Sequence, residues 1–139
     1  MRRSALAAAA FALVIALSTC SRGAGGDHAE LCQDLTNLQG TMEMLASPPR
    51  DATVGEVRGN LDKLDGTWDA IHHDPDVPDD EDDALLQSQE DYRDAIEGVG
   101  DDDAFAPYAP ATRGIAEGLM RSYQAVRVRL VCPSYLQPG

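Results

Sequence analysis

Positive charge is scarce in this sequence. Its 139 residues hold 11 Lys and Arg against 24 Asp and Glu, a formal net charge of −13. That balance argues against nucleic acid as a partner, because such binding depends on cations meeting phosphates. Aromatic residues are scarce too, with one Trp, two Phe and four Tyr, so a core must be built mainly from aliphatic side chains. Cysteine occurs three times and never as Cys-x-x-Cys, which leaves no signature of a reactive thiol pair. No stretch alternates in the manner of a strand, and neither a glycine-rich phosphate loop nor an internal repeat is present. With these signals missing, helices must carry the fold.

One long apolar run exists, Ala5 to Leu17, preceded by the positive Met1-Arg2-Arg3. This is the two-part form of an export signal. Its 13 residues fall short of the roughly 17 to 25 that span a bilayer as a helix, so cleavage is expected. Leu17-Ser18-Thr19-Cys20 resembles the lipobox of bacterial lipoproteins, with Thr19 where Gly or Ala is more usual. The resemblance covers about twenty residues and implies diacylglyceryl on the Cys20 sulfur, Cys20 as the mature amino terminus, and a membrane partner reached through lipid. More than one acyl chain is needed for firm attachment, since each buried methylene contributes roughly 0.8 kcal/mol. Cleavage near Ala24 would instead release a secreted protein, and an uncleaved segment would leave an apolar anchor.

The expected organisation is a signal peptide over residues 1–19, a lipidated terminus with a glycine-containing tether over 20–28, and one helical domain over 29–139. Loss of Arg2 and Arg3 leaves nine basic residues against 24 acidic ones, or −15. Such a body has no electrostatic reason to lie on anionic headgroups. It suits cationic partners or divalent ions better.

Leu31, Leu35, Leu38, Met42 and Leu45 recur at alternating spacings of four and three, which predicts a helix over 29–46 with Asp27 as its cap and Ser47-Pro48-Pro49 as its end. Val54, Val57, Leu61, Leu64, Trp68 and Ile71 predict a second, capped by Asp51 or Thr53 and stopping near His72. Trp68 lies on that stripe and reads as a core anchor. A third helix is expected after the prolines at 75 and 78, running to about Val99 with Leu85, Tyr92, Ile96 and Val99 inward. Gln89 or Ala95 fills its gaps. The fourth is expected from Ala111 to Val131, with Ile115, Leu119, Ser122, Val126 and Leu130 as its stripe. Between them a bent connector, Phe105 to Pro110, has room for a short helical turn.

Once Cys20 goes to lipid or leaves with the signal, Cys32 and Cys132 are the simplest disulfide of an exported chain. They lie near the start of the first helix and the end of the last. Those termini share an end only if the helix number is even, so the pair favours an all-α, up-down-up-down four-helix bundle closed by one disulfide.

Candidate chemistry is thin. Residues 74–83 hold seven acids, and Asp74, Asp76, Asp79, Glu81 and Asp83 are weak candidates for a divalent ion. They fail the spacing of the helix-loop-helix calcium motif, which needs glycine where Ala84 stands. His72 and His73 are adjacent, and neighbours on a helix point about 100° apart, so the pair alone is no two-point clamp. His28 sits beside the tether. Ser88, Ser122 and Ser134 have no recognisable nucleophile setting, and no cofactor is implied. The reading is a non-catalytic cell-envelope lipoprotein, a binding or scaffolding module for an extracytoplasmic partner. The alternative is a divalent-metal or small-ligand-binding lipoprotein that uses the 74–83 loop or His72/His73.

Overall fold

The computed structural model describes residues 28–132. The signal, Cys20, Asp27 and Ser134 lie outside them. Four helices follow one another: α1 (Ala29–Ala46), α2 (Val54–Ile71), α3 (Asp79–Ala95) and α4 (Ala109–Arg129), with a 3₁₀ turn at Ala106–Tyr108. Neighbours in the chain pack against each other and α4 closes on α1. The result is the four-helix bundle that the cysteine positions favour.

The apolar stripes are the core. Leu35, Leu38, Met42 and Leu45 of α1 face Leu61, Leu64, Trp68 and Ile71 of α2, all buried, with Leu85, Tyr92, Leu119 and Val126 from the other pair. Two tyrosines cross the core to helix backbone. Tyr123 donates to the Leu35 carbonyl, and Tyr92 donates to the Leu45 carbonyl at 3.0 Å. The second bond has a sequence reason. Residue 49, four beyond Leu45, is a proline with no N–H to offer, so the phenol supplies the missing donor. Burial of both hydroxyls raises their pKa, offset in part by Thr112 at Tyr92 and by Arg127 at Tyr123.

Thr53 caps α2, accepting from the Glu56 N–H while the Glu56 carboxylate accepts from the Thr53 N–H. The next amides of α2 find partners in the α3–α4 connection, with Val54 N–H donating to Asp103 O and Gly55 N–H to Asp101 O, each at 2.9 Å. A Cβ on Gly55 would stand 3.0 Å from Asp101, so any other residue would push the Asp101 backbone aside. Phe105 N–H returns a bond to Ala52 O, and the two connections at this end are thereby tied together.

Helix α3 ends four residues before the expected Val99. Ile96 leaves helical geometry and Gly98 takes φ +74°. The Arg58 guanidinium then takes the Ile96 and Val99 carbonyls at 2.8 and 2.7 Å and pairs with Asp101. Ile96 is still buried although the helix has ended, and the expected inward Val99 is only half-buried. Helix α4 begins two residues before the expected Ala111, because Pro110 fits a first turn where its missing N–H costs nothing. Its buried line runs through Thr112, Ala116 and Leu119, leaving the expected Ile115 only half-buried.

The last turn of α4 binds the disulfide. Val131, expected inside the helix, takes φ +54°; Val131 N–H donates to Val128 O and Cys132 N–H to Arg127 O. This is the paired closure that normally has glycine in the left-handed position. It turns Cys132 back to Cys32, with Cα atoms 5.3 Å apart.

Candidate metal-binding site

An up-down-up-down order gathers the start of α1, the end of α2, the start of α3 and the end of α4 at the disulfide end of the bundle. All three histidines lie there. Helix α2 stops at Ile71, and His72 forms its C-cap with φ −67° and ψ −16°. His73 is past the helix, so the angular separation of helical neighbours does not bind it. The two imidazoles approach edge to face with centroids 4.0 Å apart.

Asp69, one turn back on α2, completes a cluster. Ligand atoms from Asp69, His72 and His73 all fall within 4.8 Å of one another. Asp69 and His73 are exposed and His72 is half-buried. Metal–nitrogen and metal–oxygen bonds of about 2.1 Å put two donors at most about 4.2 Å apart around one ion, so a small movement of exposed side chains closes the set. The last turn of α2 has no basic residue, and its free carbonyls carry partial negative charge. The surroundings therefore favour a cation.

Behind the cluster stands Asp82, in the first turn of α3. Its Oδ1 accepts the Trp68 indole N–H at 2.7 Å, and its Oδ2 lies 3.5 Å from His72 Nδ1. Trp68 is fully buried, as its place on the stripe requires, and Asp82 satisfies its one polar atom.

The acidic run spreads rather than converging. Asp74 accepts from the Asp76 N–H at 2.9 Å, a local turn that needs no ion. Asp76 Oδ2 lies 3.6 Å from His28 Nδ1 at the start of α1. Asp79 and Glu81 occupy the first turn of α3, where the unpaired N–H groups favour negative charge, and Asp83 follows in the exposed part of that helix. Among the described residues, none of Asp74, Asp76, Asp79, Glu81 and Asp83 enters the group of potential ligands that His72 and His73 form. Two members of the site's machinery escaped the sequence reading. Asp69 was legible as a carboxylate three residues before His72, whereas Asp82 is brought in only by the packing of α3 on α2.

A second concave region lies between the end of α1 and the first half of α4. It is a cleft of about 520 Å³ lined by Ala46, Ser47, Arg113, Glu117, Met120 and Arg121. Ser88 spends its hydroxyl on the Ala84 carbonyl of its own helix at 2.9 Å, and Ser122 is buried. No helix among the described residues is long and apolar enough to cross a membrane. No family model, curated protein or solved structure matches the chain.

Proposed function

We propose that this protein is a non-catalytic, extracytoplasmic lipoprotein that binds a divalent transition-metal ion through Asp69, His72 and His73. The observation that carries the metal reading is the convergence of two imidazoles and a carboxylate within 4.8 Å. Imidazole donors suit zinc, nickel and copper, whereas calcium and magnesium take oxygen ligands. Export and attachment through Cys20 rest on the lipobox-like Leu17-Ser18-Thr19-Cys20.

Calorimetric titration of the full chain with zinc tests the metal reading. One saturable equivalent is expected, lost in His72→Ala/His73→Ala, with no saturable heat from calcium at physiological salt. A wild-type chain that gives no saturable heat with zinc, nickel or copper refutes it.

The scaffolding reading has its own support in the α1–α4 cleft. Helix α4 holds Arg113, Arg121, Arg127 and Arg129 against Glu117 alone among acids, a basic element on an acidic body. It suits an acidic segment of an envelope partner. Crosslinking from position 120 on intact cells should capture such a partner, and loss of capture in Arg113→Ala/Arg121→Ala would assign it to the cleft.

A further inference from the structure

His72 stands between two carboxylates. Its Nε2 is 3.4 Å from Asp69 Oδ1 and its Nδ1 is 3.5 Å from Asp82 Oδ2. A neutral imidazole has one N–H and one lone pair, so it can donate to only one of them. The two carboxylates are not equivalent. The Asp69 side chain is 79% exposed and that of Asp82 is 15% exposed. Water and salt screen the first far more than the second. Asp82 is also fixed, because its other oxygen holds the Trp68 indole at 2.7 Å and Trp68 is immobilised in the core.

Nε2 is within hydrogen-bond reach of the exposed Asp69, and a proton on Nδ1 would instead face Asp82, the better fixed and less screened of the two carboxylates. With the proton there, the Nε2 lone pair and the Asp69 carboxylate are two acceptors 3.4 Å apart, a pair that a cation between them would bridge. His73, whose ring packs against His72 at an interplanar angle of 71°, is the third donor beside that position. We propose that Asp82 is a positioning residue: held by the Trp68 indole, it sets His72 in the Nδ1–H tautomer and aims Nε2 as a ligand for an imidazole-favouring divalent ion. This rests on the metal reading of the Asp69/His72/His73 cluster. A ligating histidine commonly needs such an outer carboxylate to fix its ring and raise its basicity. Here the carboxylate comes from a different helix, so the ligand is oriented only when α3 is docked on α2. Trp68, the single tryptophan, lies one hydrogen bond behind Asp82 and is placed to report metal binding by its fluorescence.

The test uses the full chain with zinc alone as the probe, measured by competition with a chromophoric chelator. Asp82→Asn keeps an oxygen to accept from Trp68 and removes the charge facing His72. Its zinc affinity should fall by roughly 10- to 100-fold. Long-range ¹H–¹⁵N spectra of the zinc-free protein, with imidazoles neutral, should show His72 as the Nδ1–H tautomer in the wild type and shifted toward Nε2–H in Asp82→Asn. His73→Ala should weaken zinc binding and leave that tautomer unchanged, a separation that a merely structural role for Asp82 does not give. If wild-type His72 is the Nε2–H tautomer, or if a folded Asp82→Asn binds zinc within about threefold of wild type, the positioning role is overturned while the metal site stands. If Asp82→Asn does not fold, the wild-type tautomer decides alone. If the wild type binds no zinc, nickel or copper, the metal reading itself falls.

Discussion

Breaking the Cys32–Cys132 bond should remove a large part of this bundle's stability. The bond joins residues 100 apart, the first turn of α1 to the third residue after α4, so the loop it closes contains nearly the whole bundle. On the chain-entropy account a loop of this length restricts the unfolded chain by about 4.7 kcal/mol. Part of that is returned when the bond is absent. Val131 is held at φ +54°, a left-handed conformation that costs a residue with a Cβ roughly 1 to 2 kcal/mol, and a freed last turn relaxes it. The core contacts between Leu35, Leu38, Tyr123 and Val126 do not depend on the bond, so the native bundle should persist in reduced form. The net loss is then about 3 to 4 kcal/mol. For a domain of this size it lowers the thermal midpoint by roughly 12 to 30 °C. Thermal and urea unfolding of the oxidised protein and of Cys32→Ser/Cys132→Ser are the assays. Besides the lower midpoint, the slope m should rise in the variant, because the uncrosslinked unfolded chain exposes more surface. Val131→Gly adds a second requirement. It should stabilise the oxidised protein by about 1 kcal/mol and the Cys-free protein by much less. A midpoint shift under 5 °C with unchanged m would refute the reasoning, since the bond would then be constraining an already compact unfolded state.

Tyr92→Phe should cost about 1 to 2 kcal/mol, because the Leu45 carbonyl then loses a donor that Pro49 cannot replace. At alkaline pH the two buried tyrosines act together. Each has a folded pKa above the ordinary 10.0, so the unfolded state gives up its protons first. Their contribution is complete below about pH 10 and is lost as pH rises through the raised values. Urea midpoints between pH 9 and about pH 11 should fall, and fall less in Tyr92→Phe/Tyr123→Phe. Glycines in α2 should diverge: Gly66→Ala, with open space around it, should gain up to about 1 kcal/mol, whereas Gly55→Ala must displace Asp101 and should lower the midpoint.

Much of the architecture was written in residue spacing. The alternation of threes and fours from Leu31 to Leu45 and from Val54 to Ile71 fixed α1 and α2 to within a residue, because one buried face per helix is a local, periodic constraint. The parity of Cys32 and Cys132 fixed the helix number, since a covalent bond tolerates only a narrow Cα separation. Two helix ends were decided by a partner from another element. Helix α3 ends at Ala95 because Arg58 of α2 takes the carbonyls beyond it, and α4 turns at Val131 because Cys132 must face Cys32.

The candidate site divides in the same way. Asp69, His72 and His73 sit in five consecutive positions, and their identity and spacing are sequence facts. That His73 folds beside His72 depends on α2 stopping at Ile71. That Asp82, rather than any other acid of the 74–83 run, stands behind His72 depends on α3 packing against Trp68. A run of seven acids and two prolines contains no information about which carboxylate will meet an indole across a helix seam. Only the tertiary structure supplies it, by packing Asp82 against the Trp68 indole while Asp76, Asp79, Asp80 and Asp83 stay exposed.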